Sequence, residues 1–274
     1  MQSVFRDGLL SGQAAFVTGG GSGIGEGIAV RLAQQGAGVA LFGRTRSKLE
    51  AVAARIAALG GRALVLPGDV RDYAAVEGAA REAKEGLGRL DVVVHSAAGN
   101  FLAPAAGLSA NGFRAVVDID LCGAFNTARA TFAALCETRG SVVNITATQA
   151  EVPTPLQCHA GAAKAGIEKL TRDLALEWAR FGVRVNAVAP GPVEGTEGMR
   201  RLAPPQAAGE AGGADPMKSR VPLGRFGTID EVSDAVLFLV SRAGSYVTGA
   251  TLLIDGGTSL LGPSVFYEMM MAGG

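Results

Sequence analysis

Ala15-Phe16-Val17-Thr18-Gly19-Gly20-Gly21-Ser22-Gly23-Ile24-Gly25 is the stretch whose reading decides the fold. A short apolar run, readable as a buried strand, meets a turn of glycines and one serine. It then passes into Gly27-Ile28-Ala29-Val30-Arg31-Leu32-Ala33, where the apolar spacing is helical. Glycines let the backbone turn tightly and approach a ligand with no Cβ in the way. The helix that follows offers unpaired N–H groups and the positive end of its dipole to a phosphate. A dinucleotide's pyrophosphate is held in this manner. The spacing is Thr-Gly-x-x-x-Gly-x-Gly, not the commoner G-x-G-x-x-G. Any tight strand–helix turn needs glycine, so the turn gains meaning only from its surroundings.

Working outward, apolar runs alternate with Ala-rich helical stretches almost to the end. Strands are expected at 38–43, 62–66, 90–95, 141–146, 183–189 and 250–254. Helices are expected at about 47–59, 73–86, 111–137, 160–181 and 229–241. Continuous apolar strands separated by helices indicate a parallel sheet covered on both faces, with right-handed crossovers. The expected architecture is α/β: one Rossmann-type, doubly wound parallel sheet of about seven strands, in a single domain spanning 1–274. The one irregular insert, 191–220, is rich in Gly, Pro and Ala and follows a strand's C-terminal end, where such sheets bind ligands. It reads either as a substrate lid or as a disordered loop.

The composition narrows the classes. Hydrophobic residues make up 48% and charged residues 18% of the 274, a balance typical of a well-buried globular protein. With 25 basic and 25 acidic side chains, no global field draws the chain to nucleic acid or an anionic membrane. No apolar stretch is long enough to span a bilayer. Cys122, Cys136 and Cys158 show neither a C-x-x-C pair nor zinc-ligand spacing, so no metal site is expected. Arg6 and Asp7 precede any apolar run, which argues against a signal peptide. Met271-Ala272-Gly273-Gly274 is unlike a Ser-Lys-Leu peroxisomal address. A bacterial cytosol is the expected compartment.

Thr18–Gly25, Asp69-Val70, Ala97-Ala98-Gly99, and Asn186 with Pro190-Gly191 each end or follow a strand on one side of the sheet. Together they resemble the short-chain dehydrogenase/reductase family over essentially the whole chain. The resemblance implies a nicotinamide cofactor held by Gly19, Ser22, Gly23, Ile24, Gly25, Ala97, Ala98, Gly99, Pro190 and Gly191. It also implies Asp69 at the adenine amino group and Val70 on the adenine face. After the second strand comes Phe42-Gly43-Arg44-Thr45-Arg46, with no carboxylate to bind a ribose 2′-OH. Arg44 can fork onto a 2′-phosphate and Ser22 can add a hydroxyl, so NADPH is the expected cofactor. The alternative is that Arg44 only covers adenine or faces solvent.

At the catalytic positions the family pattern breaks. Its usual members carry Tyr-x-x-x-Lys, a serine about thirteen residues earlier and an asparagine on the preceding long helix. The lysine is Lys164, but the tyrosine position is Ala160, the serine position Ala147 and the asparagine position Asp120. One branch that it resembles shares this departure, the 2,4-dienoyl-CoA reductases of peroxisomal type and their bacterial relatives. The matching stretches are 96–102, Asp118-Ile119-Asp120, Asn144-Ile145-Thr146-Ala147-Thr148, His159–Lys164, 189–198 and Asp255-Gly256-Gly257. The resemblance implies an NADPH-dependent reduction of 2,4-dienoyl-CoA to 3-enoyl-CoA in unsaturated fatty acid β-oxidation, by a homotetramer. Asp120 would position or protonate a water, Lys164 would tune it and grip the nicotinamide ribose, and Asp255 would complete an acidic pair.

Asn100, Phe101, His159 and Arg200 are the candidate contacts for an acyl-CoA substrate, with Asn144 a further donor for the thioester oxygen. Arg200, Arg201, Lys218 and Arg220 on the insert are candidates for CoA phosphates, or else an ordinary solvated charge set. Each has a plainer reading. Asp120 can be a satisfied structural carboxylate, Asp255 can cap its own glycine turn, and His159 can pack or replace the missing acid. His95 reads as a hydrogen-bonded core histidine. Two other functions fit the sequence: a reductase of another thioester or carbonyl, or an NADP-binding sensor without catalysis.

Overall fold

The computed structural model describes residues 5–196 and 218–261. Its strands are β1 (Ala14–Thr18), β2 (Gly38–Gly43), β3 (Ala63–Pro67), β4 (Val92–His95), β5 (Ser141–Ile145), β6 (Arg184–Pro190) and β7 (Thr251–Ile254). The helices are α1 (Gly23–Gln34), α2 (Arg46–Ala58), α3 (Tyr73–Leu87), α4 (Ala110–Val117), α5 (Gly123–Thr138), α6 (Cys158–Trp178) and α7 (Ile229–Val240). All seven strands run parallel in the order β3-β2-β1-β4-β5-β6-β7. Winding reverses between β1 and β4, which opens a crevice beyond their C-terminal ends.

Side-chain alternation explains why both faces need helices. Ala15 and Val17 of β1 join Ile28, Leu32, Val232 and Val236 from α1 and α7 in one buried layer. Phe16, one residue out of phase, joins Phe42, Val93, Leu135 and Trp178 in the other. Each such large side chain contributes about 1.5–3 kcal/mol when fully buried. The two layers hold the sheet rigid beneath the crevice.

Most elements lie within a residue or two of their expected ends, with two informative differences. The helix expected at 111–137 is interrupted by a turn of π-helix, Asp118–Cys122, between α4 and α5. One extra residue per turn re-aims the backbone there, and such turns gather at functional sites. In addition α6 begins at Cys158, so His159 and Ala160 stand inside its first turn.

The expected lid is described only at its two ends, and Arg200 and Arg201 lie outside the described residues. Its near end is tied down by a bridge between Val193 and Gly227. Lys218 ion-pairs with Glu194 at 2.7 Å and lies over the Phe226 ring, a staple across the insert's base. Among the described residues no helix is long and apolar enough to cross a membrane.

Candidate active site

Residues that follow β1 to β6 line one cleft of about 930 Å³. Its first wall is the glycine turn. Gly19 has φ +67°, and a Cβ there would come within 2.8 Å of the Ala97 nitrogen. A Cβ on Gly25 would press to 2.4 Å from the Gly19 carbonyl oxygen, so helix and strand pack this closely only with glycine. Gly23 has φ +57°, and a Cβ on it meets nothing within 4 Å, so a side chain there would project into free space at the cleft wall. Among the described residues no side chain caps α1, and Ser22, in extended backbone before it, makes no cap hydrogen bond with its hydroxyl. The N–H groups of the first turn are thus left for an external acceptor, as an anion site requires.

Ser22, Ile24, Ala97, Ala98, Gly99, Pro190 and Gly191 all line this cleft, as the sequence led us to expect. Gly191 is needed for a second close approach, since a Cβ on it would sit 2.8 Å from the Asp255 Cα. Arg44 is exposed on the cleft rim, with Thr45 and Lys48 beside it. Lys48 escaped the sequence reading, although it follows Arg44 by four residues at the start of α2. Asp69 and Val70 line the adjoining wall. Both Asp69 oxygens accept from the Arg71 guanidinium, at 3.0 and 2.6 Å. That hydrogen-bonded pairing holds the Asp69 carboxyl below the usual range.

At the far end of the cleft, Asp120 is fully buried in the π turn. Its Oδ1 accepts the Gly99 N–H at 2.7 Å, and its Oδ2 lies 3.0 Å from the Lys164 ammonium. That second contact is a charge pairing whose angles fall short of an aligned hydrogen bond, and Lys164 Nζ also donates to the Ile145 carbonyl at 3.1 Å. Oδ2 therefore keeps hydrogen-bonding capacity beside an ammonium. Ala160 and Ala147, at the positions usually tyrosine and serine, line the same cleft without polar groups. Breaking this ion pair from one side would leave a buried charge uncompensated.

The remaining candidates divide. Phe101 lines the cleft and packs edge-to-face on the His159 ring, with centroids 4.4 Å apart. His159 is fully buried behind it, and neither ring nitrogen has a hydrogen-bond partner among the described residues. The Asn100 amide donates to Gln157 Oε1 at 2.6 Å, and Gln149 donates to the same oxygen at 2.7 Å. This cluster of amides at the cleft mouth carries no sequence signal, since only the fold brings 100, 149 and 157 together. Asn144 is corrected: it is buried in β5 and donates to Thr171 Oγ1 at 2.9 Å, away from the cleft. Asp255 accepts the N–H groups of Gly257 and Ser259 at 2.9 and 2.7 Å. Burial works to raise its pKa, and these hydrogen bonds outweigh that effect and hold it low. No described hydrogen bond or ion pair joins it to Asp120 or Lys164.

A family model described as enoyl-(acyl carrier protein) reductase matches residues 18–259. The zebrafish (Danio rerio) peroxisomal 2,4-dienoyl-CoA reductase, (3E)-enoyl-CoA-producing, is 45% identical over 94% of this chain and 85% of its own length. The chain belongs to the short-chain dehydrogenase/reductase family. A probable 2,4-dienoyl-CoA reductase of Bacillus subtilis, (2E)-enoyl-CoA-producing, is 38% identical over 89% of this chain and 96% of its own. Among solved structures, the citronellol catabolism dehydrogenase of Pseudomonas aeruginosa superposes with a TM-score of 0.82 at 38% identity. That match covers 94% of this chain and all of the other. Within this family of oxidoreductases, the buried Asp120–Lys164 pair stands where the sequence places the usual asparagine and lysine.

Proposed function

We propose that this chain is an NADPH-dependent reductase of 2,4-dienoyl-CoA thioesters, and that Asp120 and Lys164 govern its proton. The observation that carries this is a buried carboxylate–ammonium pair in a cleft whose tyrosine and serine positions are both alanine. The uncapped start of α1 with Ser22, and Arg44 with Lys48 on the rim, suit the pyrophosphate and a 2′-phosphate. Bound NADPH supplies a hydride from C4 of its nicotinamide.

The chemistry explains why a tyrosine is dispensable. A hydride added to C5 of a 2,4-dienoyl thioester shifts both double bonds, leaving C3=C4 and a dienolate with its charge on the thioester oxygen. A proton delivered to Cα then gives the 3-enoyl thioester. The acid must reach Cα, not a ketone oxygen, so a tyrosine placed for alcohol chemistry has no task. Asp120 Oδ2, with its free hydrogen-bonding capacity, holds a water or proton at that point. Lys164 keeps the developing charges balanced and offers its remaining protons to the ribose. Gly99 fixes the carboxylate so that this geometry exists before substrate arrives.

Lipid-derived acyl-CoA is the proposed substrate, with turnover in unsaturated fatty acid β-oxidation. A cytosolic homotetramer fits the free cysteines and the exposed Phe125, Leu176 and Leu253 on α5, α6 and the edge strand β7. The test is NADPH consumption with a short 2,4-dienoyl-CoA, for the native chain and for Asp120→Asn. Asn is isosteric and can still accept from Gly99, but it cannot supply a proton. Native turnover with a loss of about 100-fold or more in the variant is expected. No turnover of the dienoyl thioester despite NADPH binding would refute the proposal.

A further inference from the structure

His95, one of two histidines in the chain, ends β4 and is buried directly behind the catalytic pair. Its Nε2 lies 3.1 Å from the backbone oxygen of Asp120, and its Nδ1 lies 3.0 Å from Thr18 Oγ1. A carbonyl oxygen can only accept, so Nε2 carries the hydrogen and Nδ1 accepts from the threonine hydroxyl. Thr18 Oγ1 in turn accepts the N–H groups of Ser96 and Ala97 at 3.2 and 3.3 Å, which leaves its own hydrogen for the imidazole. Thr127 Oγ1, 3.4 Å from Nδ1, sends its hydrogen to the Gly123 carbonyl at 2.7 Å and does not compete. The tautomer is thus dictated from both sides.

The Asp120 carbonyl also receives the Gly123 N–H, which reaches back to the Asp118 oxygen as well. A regular helix would hold the carbonyl of residue 120 with a single N–H four residues on. Here the imidazole takes up the second lone pair and stabilises the departure from that pattern. Gly123 makes room for it: a Cβ there would lie 3.3 Å from the His95 ring and 2.9 Å from Val70. The neighbouring ionisable groups are Lys164 on α6 and Asp120 in the π turn. Burial, then the Lys164 charge, push the His95 pKa down to about 3, so the ring stays neutral wherever the enzyme works.

We infer that His95 is a positioning residue: its Nε2–H grips the Asp120 carbonyl and thereby sets the carboxylate between the Gly99 N–H and Lys164. The inference rests on the proposed role of Asp120 in proton delivery. It links the glycine turn to the catalytic pair through one chain of contacts, Gly19's neighbour Thr18, His95 and Asp120.

Two measurements test it. Histidine-labelled ¹⁵N NMR of the native full-length protein reads the tautomer without any substitution. A neutral Nε2–H ring that does not titrate between about pH 5 and 9 is expected. An Nδ1–H tautomer, or titration near the ordinary value of 6.5, overturns the inference. The second is a pair of variants. A glutamine amide nitrogen reaches the Nε2 position, whereas an asparagine's stops at Nδ1. His95→Gln is expected to keep kcat within about threefold and His95→Asn to lose about 100-fold, with KM and NADPH affinity held in both. A folded His95→Asn with native kcat overturns the inference while leaving an inactive Asp120→Asn to support the proton role. Full turnover by Asp120→Asn instead removes the reading beneath it. If neither variant at 95 folds, the tautomer of the native protein decides.

Discussion

The two ends of the cleft are built from different materials. The proposed cofactor end is mostly backbone, a glycine turn, an uncapped helix start and the strand ends at Ala97–Gly99, with a rim of exposed cations. The proposed catalytic end consists of a few side chains, Asp120 and Lys164, each buried and fixed by neighbours on other elements. Backbone recognition depends on conformations that only glycine adopts freely, so it leaves a plain mark in the sequence. Side-chain chemistry can change by single substitutions while the scaffold stays the same. That is how Ala160 and Ala147 can occupy a fold whose other end keeps the expected pattern, and why site chemistry, not fold, must carry the function.

Sequence and structure agree best where a face is buried. β1 as far as Val17 and all of β2 lack polar side chains because both sheet faces are covered, and their limits were legible. The π turn was not legible, because one inserted residue barely disturbs the apolar spacing on either side of Asp118–Cys122. Asp120 and Lys164 were legible as departures from a pattern, but their 3.0 Å contact was not. Arg71, Lys48 and the amide cluster on Gln157 were missed because the fold, not spacing, gives them partners. His95 reads as a core histidine in either view; only the structure shows what it holds. Asp255 was open between capping and catalysis, and its two backbone hydrogen bonds display the first of these.

Removing the rim cations sharpens the contrast by striking the cofactor end alone. Arg44→Ala with Lys48→Ala is expected to weaken NADPH binding relative to NADH by about 100-fold, since charge-assisted contacts contribute about 1.5–3 kcal/mol each. The loss shrinks at high salt, because both side chains are exposed. Fluorescence titration with both cofactors measures it, and an unchanged ratio would deny the rim a 2′-phosphate role.

A smaller effect is expected behind the cleft, at the start of α7. Glu231 and Thr228 form a reciprocal cap, and Arg225 adds a guanidinium pair. The hydrogen bonds from Arg225 come first among the causes that hold Glu231 down to about 2. Its stabilising contribution is therefore present above the ordinary value of 4.5 and fades as pH falls toward about 2. Glu231→Gln is expected to lower stability by about 1 kcal/mol near neutral pH, read by urea unfolding, while kcat and cofactor affinity stay put. An equal loss at pH values below the folded-state range would show that the cap does not depend on charge.

The proposed chemistry differs from its alternatives most directly in where the two hydrogens go. The measurement is the isotopic pattern of the product formed from a 2,4-dienoyl-CoA with NADPH deuterated at C4, and separately in D₂O. Cofactor deuterium at C5 and solvent deuterium at Cα, in a 3-enoyl thioester, are predicted. Solvent deuterium at C4, in a 2-enoyl thioester, would contradict proton delivery to Cα from the Asp120–Lys164 site.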